Sequence, residues 1–256
     1  MDLQLRGRVA LVTGASSGIG EAVALSLAKE GATLALAGRR QERLSEVAEA
    51  ARKLGAPTVR TFHFDQTDDR SGVDLASEVL SALGPIDVLV ANGGGPNPGT
   101  YLQVSLDEWD RGYHAMLRSM LSLINEILPG MRAKSWGRVV ALTSMAVKEP
   151  IPHLVLSNSF RTALVSALKT LSGEVAPEGV TINCIATGRI LTARLMQLYD
   201  NDEKALHADA QRDVPMRRPG TPSEFSPLVT FLCGEPASYI TGQTIAIDGG
   251  CIKSLF

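Results

Sequence analysis

Residues 8–21, RVALVTGASSGIGE, constrain this chain more than any other stretch. Val9, Ala10, Leu11 and Val12 form an apolar run without polar alternation, the pattern of a parallel strand covered on both faces. The run stops at a glycine-rich turn and restarts with helical periodicity. In such a unit Gly14 permits the tight turn, Gly18 keeps the backbone bare for a close ligand, and Gly20 lets the helix pack on its strand. The helix N-terminus adds free N–H groups and the positive end of its dipole. A second strand, residues 33–37, follows after one helix length, so the turn is expected to hold an anionic dinucleotide rather than to serve as an ordinary loop.

The 256 residues, 45% hydrophobic, suffice for one sizeable α/β domain and are short for two, so residues 1–256 are expected to form a single dinucleotide-binding domain. With 25 basic against 27 acidic residues there is no global charge bias toward nucleic acid or an anionic membrane, and phosphate recognition must be local. The opening MDLQLRGR has no signal-peptide core, and no stretch approaches the roughly 18 apolar residues of a membrane helix, so a cytoplasmic location is expected. Cys184, Cys233 and Cys251 are odd in number and far apart, which points to reduced thiols. His63, His114, His153 and His207 lack metal-ligand spacing, and no metal site is expected.

Strand and helix patterns alternate along the whole chain. Helices are expected at residues 18–30, 41–54, 68–83, 105–131, 154–175 and 222–233, with strands at 33–37, 58–64, 86–91, 137–143, 180–185 and 244–247 and an irregular helical insertion after the sixth strand. Seven apolar runs separated by helices predict an α/β, doubly wound seven-stranded parallel sheet of Rossmann type, helices on both faces. Ligands of such sheets bind beyond the carboxyl ends of the strands. After the second strand comes Gly38-Arg39-Arg40, where an acidic residue would select NAD. Gly38 leaves that position empty, Arg39 offers a planar fork that fits phosphate, and NADP(H) is the expected cofactor.

With these motifs in order, the chain resembles the short-chain dehydrogenase/reductases over nearly its full length, and among them is most similar to the 3-oxoacyl-(acyl-carrier-protein) reductases. Thr13-Gly14-Ala15-Ser16-Ser17-Gly18-Ile19-Gly20 matches the TGxxxGxG turn, Asp65 the adenine-amide position, and Tyr239-Ile240-Thr241-Gly242-Gln243 with Asp248-Gly249-Gly250 the C-terminal signature. By resemblance, Ser16, Ser17, Gly18 and Ile19 belong to the cofactor turn, with Arg39 and Arg40 beside it. Asn92-Gly93-Gly94 stands for the family's NAG, beside the adenine ribose, and Thr187-Gly188 for its Pro-Gly. Gly188, Ile190 and Thr192 would then line the nicotinamide end.

The resemblance fails at the reacting centre. Family members use a helix Asn, a Ser, and a Tyr and Lys one helical turn apart; a Tyr of ordinary pKa about 10 becomes a useful acid/base when a neighbouring cation favours its phenolate. Ser144 fits the Ser. The Tyr and Lys positions carry Ser157 and Arg161, and the Asn position carries Met116. Ser157 shares a helix face with Arg161, but its hydroxyl falls about 4 Å short of a phenol oxygen and is too weak an acid. Arg161 keeps the charge and can reach ribose hydroxyls, yet does not shuttle protons. Substitute acids are sought at His153, Tyr101 and Tyr113.

The expectation is an NADP(H)-dependent oxidoreductase acting on a carbonyl or hydroxyl substrate, a small molecule or an acyl thioester, with Ser144, Ser157, Arg161 and His153 at the reacting centre. The alternative is a catalytically inactive NADP(H)-binding sensor or partner subunit. A dehalogenase-like activity ranks last, because that branch of the family abandons the Gly-rich turn and keeps Tyr. Residues 193–213 are expected to cap the substrate cleft, with Leu195, Met196, Leu198 and Tyr199 toward it. The family's homotetramers imply an oligomer through the two long helices, where Leu117, Met120, Leu121, Ile124 and Leu128 suggest a face apolar toward a partner.

Overall fold

The computed structural model describes residues 1–255. Seven strands, β1 (Val9–Thr13), β2 (Thr33–Gly38), β3 (Val59–His63), β4 (Val88–Ala91), β5 (Gly137–Leu142), β6 (Val180–Thr187) and β7 (Thr244–Ile247), form one parallel sheet in the order β3-β2-β1-β4-β5-β6-β7. The doubly wound architecture expected above is the one observed. The order reverses between β1 and β4, and the resulting crevice at their carboxyl ends is where such a fold receives ligands.

The unbroken apolar run of β1 follows from its central place. Ala10 and Val12 enter the core under α1 (Gly18–Lys29), α2 (Gln41–Lys53) and α9 (Pro222–Leu232), while Val9 and Leu11 enter the opposite core under α3 (Ser71–Leu83), α5 (Ser119–Ala133) and α6 (Val155–Val175). Buried Asp87 fixes where the strand begins: its carboxylate accepts from Val9 N at 2.9 Å and from Lys134 Nζ at 2.8 Å.

Two expectations are refined. The single helix expected at 105–131 is α4 (Leu106–Tyr113), a π turn at His114–Arg118, and then α5. The wider turn leaves Ala115 and Met116 buried in the middle of the segment, a placement a uniform 3.6-residue period does not provide. Of the apolar residues read as a partner face, Met120, Ile124 and Leu128 are spent on the core, and only Leu117 and Leu121 remain half-buried against it.

The insertion after β6 resolves into α7 (Ala193–Gln197), capped by Thr192, and α8 (Glu203–Asp213), capped by Asp202. Arg189 ties it down, donating to Asp209 at 2.9 Å, Asp213 at 3.2 Å and Cys251 Sγ at 3.3 Å. Ala210 and Val214 pack with Cys251 and Met145, so α8 leans on the residue that follows Ser144. Cys184 and Cys233 are buried, which pushes each thiol up to about 12. Among the described residues no helix is long and apolar enough to cross a membrane.

Candidate active site

The site begins at the turn between β1 and α1. Gly14 and Gly18 take φ of +60° and +59°, where a side chain is strained. A Cβ on Gly20 would overlap the Gly14 carbonyl oxygen and come within 2.8 Å of its carbon and of Asn92 Nδ2. Gly20 therefore packs against the turn itself. Asn92 braces the same turn: Thr13 Oγ1 donates to Asn92 O at 2.7 Å and accepts from Asn92 N at 2.8 Å, and Asn92 Nδ2 donates to Gly14 O at 3.3 Å. Ser17 is the N-cap of α1 but its side chain makes no capping hydrogen bond. The first-turn N–H groups stay open toward the crevice, the arrangement that receives a phosphate.

Arg40, rather than Arg39, reaches this turn. Its Nη2 donates to Ser16 Oγ at 2.9 Å and Ser17 Oγ at 2.6 Å, and its Nε to Ser16 Oγ at 3.2 Å. Arg39 instead lies near Asp65. Burial opposes the Asp65 charge, but the N–H and hydroxyl of Thr67, at 3.0 and 2.8 Å, together with Arg39, outweigh it and hold the carboxyl below its ordinary range. The neighbouring Gln66, which sequence reasoning passed over, donates from Nε2 to Gly94 O at 3.1 Å, and its Oε1 occupies the space a Cβ on Gly93 would need.

At the carboxyl end of β5, Ser144 Oγ accepts from Ala146 N at 3.1 Å, a bond that does not use its own hydroxyl proton. Ser157 is buried on α6, and Arg161 stands one turn further on, its Nη1 donating to Leu142 O at 3.1 Å. Burial, and then the neighbouring charge of Arg194, push the Arg161 guanidinium down to about 10, still protonated at neutral pH. A small cavity opens beside it, lined by Gln66, Gly94, Ala115, Met116, Leu142 and Leu164. Met116 presents a thioether there, with no amide to hold a water.

The chain has four tyrosines, and none has its hydroxyl hydrogen-bonded to Ser144. Tyr101 is 72% exposed and packs edge-on to Trp109; Tyr113 is 41% exposed beside Phe160 and His114. Tyr239 is fully exposed, and Tyr199 gives its hydroxyl to Asp209. Through that bond Tyr199 ties the turn after α7 to α8. His153 does not join Ser144 or Ser157. Its φ is +62°, its carbonyl accepts from Gly99 N at 2.6 Å, and its side chain is exposed. Asn158 clamps the preceding loop, accepting from Ile151 N at 3.2 Å and donating to Ile151 O at 3.0 Å.

The segment after β6 closes the other side. Gly188 is required by close approach, since a Cβ would lie 2.5 Å from Asp248 Cα. Ile190 is buried against Gly220, and the Thr192 methyl would lie 3.1 Å from a Cβ on Gly18. Thr192 and the turn thus bound a gap only glycine leaves open. Arg194, two residues on, crosses the cleft and donates to Pro96 O at 2.6 Å. No local pattern marks it, because its neighbours in space are distant in the chain.

A family profile described as Enoyl-(Acyl carrier protein) reductase matches residues 14–251. The rabbit (Oryctolagus cuniculus) dehydrogenase/reductase SDR family member 4 is 33% identical over 253 residues, 98% of this chain and 96% of that protein. L-sorbose reductase from Gluconobacter frateurii, solved in complex with NADPH and L-sorbose, superposes with a TM-score of 0.94 at 31% identity, all of both chains covered. A 3-oxoacyl (acyl-carrier-protein) reductase from Agrobacterium tumefaciens with NADP bound gives 0.92 at 29% identity, covering 97% of this chain and 96% of the other. Sheet order, glycine turn and full-length likeness agree: the chain belongs to the short-chain dehydrogenase/reductase family of oxidoreductases.

Proposed function

We propose that the protein is an NADP(H)-dependent oxidoreductase acting on a carbonyl or hydroxyl group, with Ser157 and Arg161 in place of the usual Tyr and Lys. The observation that carries the cofactor reading is the Arg40 fork on Ser16 and Ser17, a guanidinium held over the turn where a 2′-phosphate would select NADP over NAD. The open N–H groups at the head of α1 fit the pyrophosphate, and Asp65 the adenine amide. Arg39, Asn92, Gly93, Gly188, Ile190 and Thr192 complete the cradle. Arg40→Ala is expected to weaken NADPH binding about ten- to hundred-fold while leaving NADH binding nearly unchanged, read by fluorescence titration of both.

Bound NADPH would supply the hydride. Ser144 donates a hydrogen bond from its free hydroxyl to the substrate oxygen and orients it, and Arg161, cationic at neutral pH, favours the negative charge that develops there. With no tyrosine hydroxyl at Ser144, the proton that completes the alcohol comes from water. His153 could assist only if its loop, clamped by Asn158, rearranged. The substrate is a small molecule or an acyl thioester, and residues 193–213 cover it. The same reading includes a homo-oligomer through α5 and α6.

Loss of NADPH absorbance on mixing with a panel of ketones, aldehydes and 3-oxoacyl thioesters tests this, and an entirely inert panel contradicts it. The missing phenol favours one second reading, an inactive NADP(H)-binding sensor or partner subunit. Turnover abolished by Ser144→Ala would exclude that reading.

A further inference from the structure

Arg161 comes from the second turn of α6, Arg194 from α7, and both guanidinium groups converge on Gly95 in the segment after β4. The point a Cβ on Gly95 would occupy lies 3.5 Å from Arg194 Nη2 and 3.9 Å from Arg161 Nη2. Each guanidinium carries five N–H donors. Among the described residues each spends one nitrogen, on a backbone carbonyl, Leu142 O for Arg161 and Pro96 O for Arg194, and neither has an acidic partner. Arg189 and Arg138, by contrast, have acidic partners, Asp209 and Asp213 for the first and Glu235 for the second.

Two like charges brought together without a counter-ion, one of them half-buried, oppose folding unless something anionic joins them. The missing side chain of Gly95 leaves the room between them. We propose that the Arg161–Arg194 pair receives an oxyanion, and that this oxyanion is a carboxylate carried by the substrate. The pair lies beside the end of β5, where Ser144 stands two residues after Leu142. A carboxylate held there sets a nearby carbonyl against Ser144, and the fork geometry of two arginines suits its two oxygens. The inference deepens the oxidoreductase reading and rests on it for the identity of the reacting group. The other source of an oxyanion at this place is the pyrophosphate of the dinucleotide, and the experiment separates the two.

Calorimetric titrations of 2-oxo acids, from pyruvate to phenylpyruvate, and of their neutral methyl esters into protein saturated with NADP+ provide the test. Some acid of the series is expected to bind at least about ten-fold more tightly than its ester, one charged contact being worth that much. Arg194→Met, a change at an exposed side chain, is expected to erase the difference while moving the NADP+ affinity less than about two-fold. Acids and esters that bind alike, or fail to bind alike, overturn the proposal. Arg194→Met lowering NADP+ affinity by ten-fold or more also overturns it, and assigns the pair to the cofactor phosphates. Should NADP+ itself give no heat, the cofactor reading fails separately; the acid–ester comparison is then made on the cofactor-free protein and judged by the same criterion.

Discussion

Ser157→Tyr combined with Arg161→Lys is expected to raise the NADPH-dependent reduction of simple neutral ketones by about 10²- to 10⁴-fold, the usual contribution of a positioned general acid. The effect is large because the glycine turn and Ser144 are in place while the phenol and its compact cation are restored together. Ser144 already presents a free proton at the end of β5. The two substituted positions share one face of α6, and Arg161 lines the same small cavity as Met116. The lysine is half of the change, since a phenol without a compact neighbouring cation stays near its ordinary pKa. Initial rates of the single and double variants check this, each single expected to fall well below the pair. No gain in the double variant would mean that Met116, in the position of the family's Asn, has closed the proton route as well, and Met116→Asn in the same background would then be needed to restore it.

Gly20→Ala carries the largest expected structural effect. The added methyl would overlap the Gly14 carbonyl oxygen and crowd Asn92 Nδ2, and neither can retreat. The carbonyl belongs to a residue at φ +60°, and Asn92 is fixed on both backbone atoms by Thr13. Overpacking against backbone costs about 3 kcal/mol or more, which corresponds to a fall of roughly 6–12 °C in Tm for a chain of this size. NADPH binding is expected to vanish with it, because relieving the overlap moves the head of α1 off the turn. A thermal melt followed by circular dichroism, paired with an NADPH titration, distinguishes this from Gly130→Ala, where a Cβ meets nothing within 4 Å and little change is expected.

The sequence made the sheet legible because hydrophobic periodicity survives wherever packing is regular. β1 reads as apolar throughout since both its faces meet core, and each later strand lies within about two residues of its expected place. The irregular parts were less legible for a physical reason. A π turn changes no residue type, only the pitch, so the segment from Ser105 onward read as one helix. The adjacent Arg39 and Arg40 cannot be told apart by composition; the backbone leaving β2 aims the second at Ser16 and Ser17 and the first toward Asp65. The bond of Tyr199 to Asp209 on α8 is likewise invisible in the sequence, since ten residues of mixed pattern separate the two. Arg194 and Gln66 gave no signal at all. Each acts across the crevice on a segment far away in the chain, and pairings of that kind exist only once the sheet has formed.

On the function proposed above, the chain retains a cradle for a phosphorylated pyridine nucleotide, with Ser157 and Arg161 where a phenol and an amine would finish the reaction. Calorimetric titration of the unaltered protein with NADPH, NADP+ and NADH tests it most directly. Saturable binding of NADPH and NADP+, tighter than NADH by at least about ten-fold as expected for one engaged phosphate fork, is the predicted result. Absence of heat with both NADPH and NADP+, or binding of NADH as tight as that of NADPH, would contradict it.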